Sequence, residues 1–531
     1  MRAGRPTLWR NDTMHDLVLR GGTVYDGLGG PGAAADVAVT GDRVVAVGAD
    51  LGPARREIDV TGLAVAPGFI DAHSHSDPVP LLPEPQPFKL FQGVTTEIVG
   101  NCGFSFAPLD AATIEATGPL FAELAGGVPV VPRDFAGYLA DIAAAGPTNH
   151  IAALVGHNTL RAYANGMDER LRPGALEQMC RLADDAFAAG AVGLSSGLIY
   201  PPGSYGDTDE LIALARVAHR WNRPYTTHMR NEDDRLGEAL DEAIAIATQA
   251  RVRLQVSHCK VAGQANHGNA KLLLAKLHEA RLAGVDVRGD QYPYRAGGTF
   301  LNALLPGAAQ VGGTQAMRAR LADPAARAEL RALAEDLTQP HGFWARVTPA
   351  DVLVTTHTTR PEVTGRTLAE LAGAGDAFDT LCEVLVADPG AGMVVTLMAE
   401  EDVETIMVDP LIGIGSDNGP PVGLQHPRTW GCFPRVLGEY VRERGLLTLP
   451  EAVRKMTSAI ADQFGLTGRG HIGAGAVADL VVFDPATIGH DGTYAVPDVR
   501  PTGVEHVVLA GHVVVDVGRF TGERRGHVLR G

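Results

Sequence analysis

Two histidines one residue apart, His73 and His75 in Asp71-Ala72-His73-Ser74-His75-Ser76-Asp77, are the first residues along the chain whose spacing suggests chemistry. In extended backbone alternate side chains share a face, so both imidazoles reach one ion. Further on, residues of the same kind recur singly, each just after a short apolar run. Cys102 sits in Gly100-Asn101-Cys102-Gly103, His228 in Thr226-Thr227-His228, His258 in Ser257-His258-Cys259-Lys260, and Asp417 in Ser416-Asp417-Asn418-Gly419. Alone, each reads equally well as a buried thiol, a hydrogen-bonded imidazole or a turn-forming aspartate. Brought to one place, they make a metal site.

The elements that would bring them together are short strands alternating with Ala/Leu-rich helical stretches, a βα pattern that implies a parallel sheet. Eight strands are expected, near Val65–His73, Thr95–Val99, Ile151–Val155, Val192–Ser195, Tyr225–Thr227, Leu254–Val256, Val285–Gly289 and Ile412–Gly415. Eight suit a (β/α)8 barrel, whose active site lies at the C-terminal ends of the strands. The two ends of the chain differ from this middle. DLVLRGGTVYDG and DVAVTGDRVVAVG near the start, and ADLVVFDP and GVEHVVLAGHVVVDVG near the end, alternate in the β manner. They predict a small β-sandwich domain formed from both termini. The expected division is a disordered lead over 1–13, β domain over 14–64, barrel over 65–469 and β domain again over 470–531. The gap between Ala296 and Ile412 is too long for one βα connection, so an inserted helical subdomain is expected at about 296–350, lying over the site as a lid.

Composition narrows the class of partner. With 45 Lys+Arg against 62 Asp+Glu the net charge is −17, which opposes nucleic acid and anionic membrane alike. No apolar stretch is long enough to span a bilayer, and MRAGRPTLWRNDT lacks the apolar core of a secretory signal. Five scattered cysteines make no disulfide framework, so a cytoplasmic protein is expected. Cys180, Cys382 and Cys432 read as buried packing residues. So does Cys259, which points away from His258 along a strand.

GGTVYDG, PGFIDAHSHSD, GVTTEIVGNCGFSFAP, GLSSGLIYPPG, THMRNED, SHCK, DQYPY, GSDNG and GAGAVADLVVFDP together resemble the amidohydrolase superfamily, and within it the N-acyl-D-amino-acid deacylases. The resemblance implies zinc-dependent hydrolysis of an N-acyl-D-amino acid, a small-molecule substrate, to a carboxylate and a free D-amino acid. Many dinuclear members bridge their metals with a carboxylated lysine on the fourth strand. Here no lysine occurs between Lys89 and Lys260, and the thiolate of Cys102 is the evident substitute. Sulfur beside two imidazoles suits Zn2+ better than Mg2+ or Ca2+. By resemblance Cys102, His228 and His258 hold one tightly bound zinc, while His73, His75 and Asp417 line a second, weaker position. Asp417 matches the family's general base and acid, and Tyr292 in Asp290-Gln291-Tyr292 its donor to the developing oxyanion. Lys260 and Arg428 fall where the family clamps the substrate carboxylate, with Tyr200 nearby. Arg230 is a further cation close to His228. Where the family has a serine this chain reads Ala296-Gly297-Gly298-Thr299, so either Thr299 supplies that hydroxyl one position on or the contact is absent. Glu97, five residues before Cys102, reads as a barrel-wall residue rather than a ligand. The same chemistry on a cyclic amide, an imide or a small dipeptide is the alternative, and an inactive scaffold a remote one.

Overall fold

The computed structural model describes residues 14–337 and 342–531, so the expected lead over 1–13 lies outside the described residues. Its centre is a closed parallel barrel. The strands, in order, are Phe69–Asp71, Val94–Val99, His150–Ala153 continued by Val155–Gly156, Leu194–Gly197, Tyr225–His228, Leu254–Val256, Val287–Gln291 and Ile412–Ile414. Each pairs in parallel with the next. The ring closes where Ala72 N donates to Ile414 O at 3.2 Å and Ser74 bridges Asn418. The strands are buried along nearly their whole length, so they read in sequence as apolar or small runs rather than alternations. Amphipathic helices such as Thr208–Arg220, capped by the Asp207 carboxylate accepting from Glu210 N, pack their apolar stripe on the outside.

The expected first strand is two elements. Ala64–Pro67 pairs antiparallel with Leu480–Phe483 in the β domain, and Gly68 separates it from the barrel strand Phe69–Asp71. That pairing joins five N-terminal strands to four C-terminal ones in one nine-stranded sheet. Leu480 and Val482 point into a core shared with Leu17, Val37 and Val39. Val481 and Phe483 point the other way, against Phe69 and Phe433. Alternation along one strand thus cements the β domain and docks it on the barrel. The last residues leave the domain again: Val528–Leu529 pairs in parallel with His150–Ala153 as an edge strand beside the third barrel strand.

The insertion after the seventh strand runs further than the 296–350 expected. Its antiparallel sheet of Ala296–Phe300, Gly392–Thr396 and Val352–Thr356 closes only at Thr396, because the central strand is the last in sequence. With its helices it encloses a separate core that includes Leu304, Leu321, Phe378 and Met393. Among the described residues no helix is long and apolar enough to cross a membrane.

Candidate metal centre

Every donor singled out in the sequence stands at the C-terminal rim of the barrel. His73 and His75 follow the first strand, Cys102 the second, His258 the sixth and Asp417 the eighth, while His228 ends the fifth. Cys102 Sγ lies 3.3 Å from His73 Nε2, 3.6 Å from His228 Nδ1 and 3.5 Å from His258 Nε2. Asp417 Oδ1 is 3.3 Å from His75 Nε2 and 3.4 Å from His73 Nε2. Two donor sets therefore share the thiol: Cys102, His228 and His258, and Cys102, His73, His75 and Asp417. Burial alone pushes the Cys102 thiol up. The charges of His73 and His258 and hydrogen bonds from His228 and His258 outweigh it and hold the group well below its usual value, as a thiolate.

The backbone is bent to reach this arrangement. Cys102, His258 and Asp417 all have positive φ, at 52°, 34° and 51°. Non-glycine residues in that region cost on the order of 1–3 kcal/mol each, and such conformations cluster where function needs them. The turn around Cys102 is held by Asn101, whose amide donates to Ile98 O at 2.8 Å, and by Gly103 N donating to Ser195 Oγ at 3.1 Å. Gly103 has φ 79°, and a Cβ there would lie 2.0 Å from Asn158 Oδ1, so only glycine serves.

Carboxylates stand beside the imidazoles. Glu232 Oε2 lies 3.4 Å from His228 Nε2, and its Oε1 lies 3.1 Å from His258 Nδ1 and accepts from Lys260 Nζ at 2.7 Å. Burial opposes its ionisation, but His228, Lys260 and His258 together depress its pKa strongly. Asp290 accepts from His258 N at 2.8 Å and from Gln255 Nε2 at 2.8 Å, and its Oδ1 stands 3.4 Å from His73 Nδ1. At the C-terminal ends of the first and last strands lies a buried lysine. Lys89 Nζ donates to Asp71 Oδ2, to Ser416 Oγ at 2.9 Å and to Asn418 Oδ1 at 2.8 Å, with Glu97 Oε1 at 3.4 Å. Asp71 Oδ1 in turn accepts from His73 N at 3.1 Å and Ser416 N at 2.8 Å. Glu232, Asp290 and Lys89 are functional neighbours that the sequence pattern does not single out. Glu232 and Asp290 nevertheless carried a signal, since each is a carboxylate within a few residues of a strand end and beside residues already chosen; Lys89, between Phe88 and Leu90 at the start of the short turn Leu90–Gln92, carried none. Glu97 is no donor to the cluster: its oxygens accept from Ser74 Oγ at 2.7 Å and Asn149 Nδ2 at 2.8 Å.

Beside the cluster opens a cavity of about 1010 Å3, its open mouth included, roofed by the insertion. Tyr292, Lys260, Arg428, Tyr200 and Thr299 all line it. The Tyr292 hydroxyl is buried without a hydrogen-bond partner. Burial, against the pull of Lys260 and Arg428, pushes its pKa up to about 12, so it keeps its proton and remains a donor. Arg428 Nη1 pairs with Asp417 Oδ2 at 2.9 Å, and the guanidinium lies 4.5 Å over the Tyr292 ring. Arg428 and His258 outweigh burial and hold the Asp417 carboxyl well below the usual range. Tyr200 and Thr299 share a hydrogen bond of 2.8 Å between their hydroxyls. Arg230 is a correction. Its guanidinium forks onto Glu242 at 2.9 and 3.0 Å and donates to Ser204 O and Gly206 O, so it fastens a loop to the helix Leu236–Ala250 and does not line the cavity. The strand ends at His228, so the alternation that keeps residues i and i+2 on one face no longer holds at position 230, and its side chain turns to Glu242 instead. Cys259, by contrast, packs against Gly289 as expected, its thiol pushed well above the ordinary value by burial.

A closed parallel barrel with histidines, a thiol and an aspartate at its rim defines a metal-dependent hydrolase framework. The chain matches the Amidohydrolase family over residues 56–515 and belongs to it. It is 39% identical to a D-aminoacylase of Alcaligenes xylosoxydans xylosoxydans, over 97% of each chain. It is equally similar, at 39% over 97% of this chain and 96% of the other, to an N-acyl-D-glutamate deacylase of the same organism, and 36% identical to its N-acyl-D-aspartate deacylase, over 99% and 97%. A crystal structure of D-aminoacylase superposes with a TM-score of 0.85 at 37% identity, covering 97% of this chain and all of that one. An N-acyl-D-glutamate deacylase from Bordetella bronchiseptica, complexed with zinc and a phosphonate inhibitor, gives 0.82 at 35% identity, over 98% of this chain and all of that one.

Proposed function

We propose that the protein is a zinc-dependent deacylase that hydrolyses the amide of N-acyl-D-amino acids, releasing a carboxylate and a free D-amino acid. The observation that carries this is a depressed thiol ringed by three imidazole nitrogens within 3.6 Å, next to a cavity with two cations. A soft thiolate, imidazoles oriented by carboxylates and one further carboxylate form a donor set that fits zinc. Cys102, His228 and His258 would hold one ion, and His73, His75 and Asp417 with the shared thiol a second. Zinc there supplies a Lewis acid and lowers the pKa of water towards neutrality.

The chain's own groups do the rest. Lys260 and Arg428 receive the substrate α-carboxylate, the guanidinium presenting an unpaired Nε. Tyr292 donates its O–H to the carbonyl oxygen as negative charge gathers there. Asp417, ionised at neutral pH, takes the proton released when water adds to the amide carbon and returns it to the leaving nitrogen. The D preference follows the naming of all three relatives. Action in the cytoplasm is supported by five cysteines that are all unpaired thiols, one of them in the site. The charge of −17 supports a small-molecule partner over a polyanion.

The test is metal analysis of the purified protein with a hydrolysis screen of paired N-acetyl-D- and N-acetyl-L-amino acids. About one equivalent of zinc per chain and turnover of the D series are expected. Turnover confined to the L series refutes the assignment.

A further inference from the structure

The three named relatives differ in the amino acid they act on, two of them on acidic ones, so similarity leaves the side chain open. The charge inventory of the cavity addresses it. Among the described residues, Lys260 and Arg428 are the lysine and arginine that line it, and each already faces a carboxylate, Glu232 at 2.7 Å and Asp417 at 2.9 Å. His75, His228 and His258 line it as members of the donor sets; His426 also lines it, but its Nε2 faces Ala296 O at 3.0 Å and its Nδ1 accepts from Arg428 N at 3.0 Å. Neither nitrogen is left for an anion. The remaining walls are largely hydrocarbon: Phe104, Ile199 and Phe300 at the side, Phe343, Val394 and Leu397 towards the insertion.

Val394 shows how the roof is made. It sits on the central strand of the inserted sheet, between Met393 and Val395, which also border the cavity but whose side chains belong to the insertion's own core. Alternation turns Val394 to the opposite face, where its sheet neighbour is Gly298 and both line the cavity. A cation at that position would reach the cavity; a valine offers none. The polar exceptions, Tyr200, Tyr292, Thr299, Thr355 and Gln425, are neutral.

One carboxylate on the substrate uses both cations. A second, on the side chain or in the acyl group, would be desolvated against hydrocarbon with no partner, and such burial is costly. Resting on the deacylase reading above, we propose that this enzyme selects substrates with a single negative charge: N-acyl amino acids whose side chain and acyl group are both uncharged, apolar ones foremost.

The experiment compares kcat/KM for N-acetyl-D-leucine, N-acetyl-D-glutamine, N-acetyl-D-glutamate and N-succinyl-D-leucine on the zinc-loaded enzyme. Leucine is expected to exceed glutamate and the succinyl substrate by about 1,000-fold, which is about 4 kcal/mol at 1.4 kcal/mol per decade. Glutamine isolates charge from size and is expected to fall between. A leucine-to-glutamate ratio under 100, or glutamate at or above glutamine, overturns the proposal while leaving the deacylase reading intact. Hydrolysis of none of the four overturns both. Val394→Arg supplies the converse test: in protein with an unchanged thermal transition it should raise kcat/KM for glutamate at least 10-fold. A folded variant with no gain counts against the wall assignment.

Discussion

Replacing Lys89 by methionine removes a cation from a site where nothing else balances the charge. Its side chain is fully buried, as are Asp71 and Glu97. Burial lowers the pKa of Lys89, but the two carboxylates outweigh it and raise the value above the ordinary one, so the ammonium is charged. Lys89→Met leaves Asp71 and Glu97 without their cation and Asn418 Oδ1 without a donor from it. Breaking a buried pair from one side costs roughly 3–5 kcal/mol. With an unfolding entropy of about 2.1 cal/mol/K per residue, a cooperative unit of this length loses about 3–5 °C of Tm. The functional effect is separate. Asp71 holds His73 N and Ser416 N, so its release loosens both the His-Ser-His segment and the Ser-Asp-Asn turn. A displacement of about 1 Å costs on the order of 100-fold in rate. The assay is urea unfolding by circular dichroism together with kcat/KM, for Lys89→Met, Asp71→Asn and the double variant. Coupling between the two sites is expected to recover about 2–3 kcal/mol in the double variant. A single-variant cost below about 1 kcal/mol, or strict additivity, refutes a buried charge pair as the organising contact.

Cys102→Ser replaces the soft donor shared by both sets, and zinc affinity should fall by more than the roughly 100-fold that losing an outer partner costs; full zinc content after dialysis would contradict this. Tyr292→Phe should lower kcat by about 100–1,000-fold with KM nearly unchanged, since its unpaired hydroxyl acts on developing charge; an equal loss in KM alone would assign it to binding. At the junction of β domain and barrel, burial pushes the Asp479 carboxyl up, but His150 at 3.1 Å, Arg469 and the Ala510 N–H at 2.8 Å outweigh it and hold it at about 2. A depressed carboxyl stabilises the fold above its unfolded value near 3.8, and that contribution disappears as pH falls through about 2. Asp479→Asn should therefore cost about 2 kcal/mol at pH 7, the gap to the parent closing below pH 4 in urea titrations; a gap independent of pH would rule this out.

Much of the barrel and of the donor set was legible because both rest on local rules. A strand end followed by a short turn is written in a few consecutive residues, and His73 and His75 share a face wherever the backbone is extended. The strand ends were less legible. The fourth strand is Leu194–Gly197 rather than Val192–Ser195, and the seventh Val287–Gln291 rather than Val285–Gly289. Pairing on both sides sets register in a parallel sheet, and no single segment contains it.

Charged side chains mark the division most clearly. Lys89, Lys260, Arg230 and Arg428 are alike in sequence, yet one holds two strand ends together, two line the cavity and one ties a loop to a helix. The sequence alone determined which atom types follow the strand ends and that no lysine lies between Lys89 and Lys260. Tertiary structure decided which cations line the cavity, that Glu232 and Asp290 stand beside the imidazoles, and that Val394 roofs the cavity. The physical reason is distance along the chain. The contacts Lys89 makes to Ser416 and Asn418 span 327 and 329 residues, and they form only once the ring closes and removes water from both sides.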